Sequence, residues 1–223
     1  MQRQFEHELD EIKRTILARA GRVATGLVDV SRALAMGDAD LADSVIAMDD
    51  EIDQHEVEID RLATEFIAKH QPTATDLRFV IVAIKLGPEI ERIADNSVNI
   101  ASRVRHLCKE RPFAGTSDLP RMLGLAQAMV NDAISSYVSR DADLARDVIR
   151  RDDEVDALNW SIFRELINHM AADTESIACA IDYILIARFI ERIADQATNI
   201  SEEVVYLVEA EPIRHVDEEE WDE

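Results

Sequence analysis

Ile90-Glu91-Arg92-Ile93-Ala94-Asp95, with Asn99-Ile100 after it, is written a second time as Ile190-Glu191-Arg192-Ile193-Ala194-Asp195 with Asn199-Ile200, every pair 100 positions apart. Working back toward the N-terminus, Asp38-Ala39-Asp40-Leu41-Ala42 stands against Asp141-Ala142-Asp143-Leu144-Ala145, and Val45-Ile46 against Val148-Ile149. Asp49-Asp50-Glu51 stands against Asp152-Asp153-Glu154 and Asp53 against Asp156, these earlier pairs all offset by 103. The change of offset falls in the Gln71-Pro72 region, between two elements and not inside one. Self-similarity at a fixed period means that one structural unit has been copied. Two copies are too few to bury the faces of a solenoid, so the repeat predicts two bundles related by pseudo-symmetry.

Each copy reads as three helices. Phe5, Leu9, Ile12, Ile16, Val23, Leu27, Val30 and Leu34 recur in steps of three and four, with one missed beat, and mark one apolar stripe on a long first helix. Gly37-Asp38 ends it, Gly suiting a left-handed cap and Asp38 capping the next helix. That helix carries Leu41, Val45, Met48, Ile52, Ile59, Leu62 and Phe66, and stops near His70 because Pro72 biases Gln71 out of helix. Thr73 or Thr75 caps a third helix from about Asp76 to Cys108, in which Pro88 should kink the axis just before Glu91. Lys109–Asp118 is the one stretch dense in loop formers, and Asp118-Leu119-Pro120 reads as a new helix start. The expected fold is therefore all-α, two tandem pseudo-symmetric three-helix bundles with six helices. The first unit is expected over residues 1–110, the second over 117–210, and an acidic tail, too charged to pack, over 211–223.

Composition agrees: Gly and Pro number only 6 and 5, too few for a turn-rich sheet protein. The chain carries 46 acidic against 24 basic residues, a net −22, which repels nucleic acid and anionic lipid. Cys108 and Cys179 lack metal or redox spacing and are expected as unpaired core or near-core thiols in a reducing compartment. Met1–Asp10 has alternating charges and no secretory pattern, and no apolar run spans a bilayer. A soluble cytoplasmic protein is expected.

The acids fall in lines. Asp49, Asp53, Glu56 and Asp60 lie along the flank of the second helix, with Asp152, Asp156 and Asn159 at the matching places of the fifth. Glu91, Asp95 and Asn99 lie roughly opposite the apolar line of the third helix, and Glu191, Asp195 and Asn199 repeat this on the sixth. Like charges at i and i+4 repel by a few tenths of a kcal/mol, roughly, so stability alone would place Lys or Arg at one of the two. Hard cations want several carboxylate oxygens from more than one element, and two acidic pairs on adjacent helices supply them. A plain solvated acidic face accounts for the same pattern and is the leading reading from spacing alone; repetition in both units strengthens the metal reading without displacing it. Asn159 opposite Glu56 leaves the second unit one carboxylate short, so the first is expected to hold metal more strongly. His55, where the apolar stripe misses a beat, reads as packing and not as a ligand. No Glu-x-x-His, nucleophile motif or Gly-rich phosphate loop is found, which points away from a di-iron site and from catalysis.

With these residues in view, the chain resembles the PhoU family of phosphate-signalling proteins, over nearly its whole length. The resemblance rests on Lys69-His70-Gln71-Pro72-Thr73-Ala74-Thr75-Asp76-Leu77-Arg78, on the two copies of Glu-Arg-Ile-Ala-Asp followed by Asn-Ile, and on Ala187-Arg188-Phe189-Ile190-Glu191-Arg192. It implies a cytoplasmic, non-enzymatic negative regulator of high-affinity phosphate uptake and of the phosphate-starvation two-component response. It implies two partners, the ATPase subunit of a phosphate ABC transporter and a membrane sensor histidine kinase, with membrane contact only through them, and a homodimer. It further implies iron, manganese or magnesium bound at Glu91 with Asp95, Glu191 with Asp195, Asp49 with Asp53, and Asp152 with Asp156. Where the family often has Gly, this chain has Ala94 and Ala194. A helical metal-storage or redox protein, and an accessory to a different phosphate carrier, are the competing expectations.

Overall fold

The computed structural model describes residues 2–47, 56–108 and 118–211. Among these, the secondary structure is seven α-helices and one short 3-10 turn, with no strand. The first unit holds α1 (Gln2–Met36), α2 (Ala39–Ala47), α3 (Glu56–His70) and α4 (Ala74–Leu107). The second holds α5 (Leu119–Ser139), α6 (Ala142–Ala172), the 3-10 turn Thr174–Ser176 and α7 (Ile177–Glu209). The single helix α6 corresponds to α2 and α3 together, and residues 48–55 between those two lie outside the described residues, as do 109–117 and 212–223, where the linker and the acidic tail were expected.

The two units turn their first corner identically. Gly37 sits at φ 64° and Arg140 at φ 56°, each followed by an aspartate whose backbone N–H reaches back to a helix carbonyl, Asp38 to Ala33 and Asp141 to Ser136. Each aspartate then caps the next helix: Asp38 Oδ1 accepts from the Leu41 N–H and Asp141 Oδ1 from the Leu144 N–H, both at 3.0 Å. Gln71 takes φ 45° before Pro72, ending α3 where the sequence indicated. Thr73 is the N-cap of α4 but its hydroxyl makes no cap bond.

Within each unit the helices pack into a bundle, and the third helices, α4 and α7, also pack against each other. That shared seam explains their wide buried faces. On α4 the apolar line expected from periodicity, Leu86, Ile90, Ile93, Ile100, Val104 and Leu107, is buried except for the half-buried Leu107 at its end, and Phe79, Val80, Ala83, Ala94 and Ala101 are buried around it. The buried apolar side chains form one continuous core across both units. Polar bonds stitch the seam, with Lys85 Nζ donating to Glu203 Oε2 at 2.7 Å and Arg103 to Asp182 at 3.3 Å, and Gln127 Nε2 of α5 donates to the Leu27 carbonyl of α1 at 2.7 Å, a second tie between the units. Tyr137 of α5 stacks on Phe79 of α4 with centroids 4.8 Å apart, and burial pushes its phenol well above its ordinary pKa.

One sequence expectation changes, and one gap in the pattern is filled. Cys179 is buried, but Cys108 is exposed at the end of α4, where the helix runs out of partners. The missed beat in α1 is Arg19, only 4% exposed, with all three side-chain nitrogens buried and without a hydrogen-bond partner among the described residues. Its Nη1 lies 3.8 Å from where a Cβ on Gly87 would be. The second unit has Met122 and Ala187 at these two places.

Candidate functional site

Asp152 and Asp156 stand one turn apart on α6, and Glu191 and Asp195 one turn apart on α7. The short turn between these helices folds one back on the other, so the four carboxylates fall within each other's field. Burial is the largest cause that pushes the Asp152 carboxyl up to about 7, and the charges of Asp195, Asp156, Asp153 and Glu191 act in the same direction. Burial likewise raises Glu191, with Arg188 opposing and Asp195 and Asp156 adding to it. Asp195 is raised by burial and then by Asp156, against Arg188 and Arg192.

The Glu191 side chain is only 14% exposed, because α6 closes over it; the helical wheel had placed it opposite the apolar line, toward solvent. Its Oε1 accepts from Arg188 Nη1 at 2.5 Å, whereas Glu191 Oε2 and Asp152 Oδ1 are buried with no donor among the described residues. Buried oxygens in that condition are costly until a proton or a cation satisfies them. A cation is therefore chemically compatible with this cluster. Among the described residues no group of three ligands is drawn around one point as it stands, so coordination needs side-chain rotations that bring the oxygens inward.

In the first unit Glu91 is half-buried and Asp95 exposed at the matching places of α4, and both interact further within the chain. Asp49, Asp53 and His55 lie outside the described residues, as does the side chain of Glu56 at the start of α3. The expectation that the first unit binds metal more strongly falls there too. Asn199, which the sequence grouped with the acids of α7, instead donates its amide to Glu89 Oε2 across the seam at 3.3 Å.

The Lys69–Arg78 segment has a structural use. His70 Nε2 lies 2.9 Å from Glu8 Oε2, and its ring packs among Phe5 and Phe66, closing one end of the first bundle. Through its hydrogen bond, His70 is the main cause holding the Glu8 carboxyl below its ordinary range. Arg78 Nε donates to the Leu207 carbonyl at 3.2 Å, in the last turn of α7, and Asp76 lies 3.8 Å from Arg140, whose guanidinium sits over the Phe79 ring. This segment clasps the first unit to the second.

The model of the PhoU domain family matches twice, over residues 8–104 and 119–204, which coincide with the two bundles. The chain belongs to the PhoU family. A Pseudomonas aeruginosa relative, a phosphate-specific transport system accessory protein PhoU homolog, is 36% identical over 214 residues, covering 96% of this chain and 88% of its own. An Aquifex aeolicus homolog with the same description is 36% identical over 208 residues, covering 93% and 94%. Two solved PhoU structures share the fold. The Pseudomonas aeruginosa protein has a TM-score of 0.88 at 35% identity, covering 93% of this chain and all of that one (100%). A Streptococcus pneumoniae phosphate transport system regulatory protein has 0.86 at 30%, covering 96% and 99%. Among the described residues of this PhoU-family chain no helix is long and apolar enough to cross a membrane.

Sequence reasoning missed Arg19 and, on the second bundle, an exposed apolar strip along α6 and α7. The missed beat in α1 signalled the first; nothing in periodicity distinguished the second from core.

Proposed function

We propose that this PhoU-family chain is a cytoplasmic, non-catalytic regulator of phosphate homeostasis that dampens high-affinity phosphate uptake and the starvation two-component response. It does so by contact with the transporter's ATPase subunit and with the sensor kinase. Full-length relatedness to phosphate-transport accessory proteins supports this reading, and the acidic pairs on the adjoining helices α6 and α7 motivate the metal part of it. Asp152, Asp156, Glu191 and Asp195 would hold the ion in the second unit, and Glu91 and Asp95, with Asp49, Asp53 and Glu56, in the first. A bound iron, manganese or magnesium ion neutralises carboxylates that otherwise repel one another. The residues would do the rest: Arg188 holds one Glu191 oxygen, which leaves the other, and the buried Asp152 Oδ1, without a donor among the described residues and open to a cation.

A deletion strain grown in abundant phosphate tests the regulator: the starvation response should stay on, and normal repression would reject the reading. Metal content of the purified chain tests the centre, with Asp152→Asn and Asp195→Asn expected to lose metal together.

A further inference from the structure

The second bundle carries a surface that the first lacks. Beside the acidic cluster, a groove of about 350 Å³ opens between α6 and α7, with Asp156 and Glu191 at one end and Trp160, Phe163, Ile184 and Leu185 on its walls. The apolar strip continues to Ile167 on α6 and to Ile181 and Ile177 on α7. Five of the nine large apolar side chains exposed among the described residues lie on this one face, and Trp160 is 66% exposed. Trp160 and Phe163 meet edge to face with centroids 5.9 Å apart, a preformed aromatic corner. Contiguous exposed apolar surface rimmed by charge marks an interaction site, and Trp is the side chain most enriched where interfaces concentrate their energy.

The chain supplies its own control. Ile59 and Ala63 of α3 are as fully buried as Ile162 and Leu166 of α6, which fixes the correspondence of the two helices. At the places of Trp160, Phe163 and Ile167 the first unit has Val57, Asp60 and Thr64, and Asp60 and Thr64 are exposed. The same bundle therefore folds with Asp60 and Thr64 in place of Phe163 and Ile167, and with the smaller Val57 in place of Trp160. The aromatic corner is not demanded by the fold.

We infer that this groove docks an amphipathic segment of a partner protein that carries Lys or Arg beside its apolar side chains. Charge selects the occupant of the metal-free chain, in which these carboxylates are not neutralised by a cation. The groove ends against Asp156 and Glu191 with Asp152 and Asp195 behind them, Arg188 is the basic residue lining it, and that arginine is already paired with Glu191. A second copy seated symmetrically would bring the same carboxylates toward one another in a chain of net charge −22, whereas a basic segment is drawn in and oriented by them. The inference rests on the regulator reading only in that a regulator acting by contact needs a docking face.

The test uses the full chain, freed of metal with a chelator and carrying Trp221→Phe, so that Trp160 is the sole tryptophan, and two synthetic amphipathic helical peptides with one apolar face, flanked by Lys in one and Glu in the other. The Lys-flanked peptide should shift Trp160 emission to the blue, saturably, and bind more weakly as salt rises; the Glu-flanked peptide should leave it unchanged. Phe163→Asp with Ile167→Thr, the residues of the first unit, should weaken binding by about tenfold or more while the helical circular dichroism is kept. Trp160→Val, followed through a labelled peptide, is an independent second variant. Unchanged emission with the Lys-flanked peptide overturns the inference. So does undiminished binding by both variants, or a wild-type dimer that the double variant dissociates without any peptide binding. Each of these outcomes is read in vitro, so failure of the groove is distinct from normal phosphate repression in a deletion strain, which would reject the regulator.

Discussion

The two bundles share a backbone plan and differ in what they bury and what they show. The first hides a guanidinium, Arg19, against Gly87, and its second helix presents Asp60 and Thr64 to solvent. The second has Met122 and Ala187 in that interior position and shows Trp160, Phe163 and Ile167 outside. Duplication fixed the positions that close each bundle and left the others free to diverge. The difference teaches that the same bundle plan can leave an apolar groove open in one copy, while the other carries the Lys69–Arg78 clasp that ties the pair together.

The strongest way to break the comparison is to ask whether the two bundles are separate at all. Phe79→Ala removes the stack on Tyr137 at the seam and should cost about 3–5 kcal/mol, with denaturant unfolding remaining one cooperative transition. Two resolved transitions in the wild type would mean that the bundles fold independently despite their continuous core.

Arg19→Met makes the first interior resemble the second. Removing a buried charge that has no partner among the described residues should raise stability by about 1–3 kcal/mol, read from the denaturation midpoint at constant slope. A loss instead would show that the guanidinium has a partner in the folded protein.

Asp152→Asn sharpens the acidic cluster. Asp152 in the folded chain titrates near 7, above the ordinary 3.8, so the folded state holds its proton more tightly than the unfolded state does. Its contribution to stability is therefore most favourable at low pH and is lost as pH rises from the ordinary carboxyl range to about 7. In metal-free protein the variant should be more stable by about 1–2 kcal/mol at pH above that value, after discounting for partial exposure, and no more stable in acid. Added Mn²⁺ should reverse the order, raising the melting temperature of the wild type more than that of the variant. An identical response in both would remove Asp152 from the metal centre.

The smallest effect tests what the bundles share. Asp38→Ala and Asp141→Ala should each cost about 1 kcal/mol, and by equal amounts, since the two caps have the same geometry. A marked inequality in thermal shift would show that one corner carries load beyond its cap.

The all-helical class, the duplication, the Gly37 and Pro72 corners and the acidic pairs were legible because each is local or periodic: caps, breakers and repeats act through neighbours in sequence. Arg19 was visible only as a gap in a stripe, since periodicity records that a position faces inward and not what it meets there. Trp160 and Phe163 looked like ordinary helix residues, because a helical wheel cannot say which apolar side chains a neighbouring helix leaves uncovered.

What the chain's sequence alone determined is the number of bundles, where their helices turn, and which side chains can supply oxygen ligands, all consequences of short-range backbone preference and of pattern. The tertiary structure alone decided which of those acids are buried together, that α4 and α7 form a common seam, and that one bundle keeps an open apolar groove. Burial, field and cavity are properties of surfaces brought together from distant parts of the chain, and those exist only once the helices are packed.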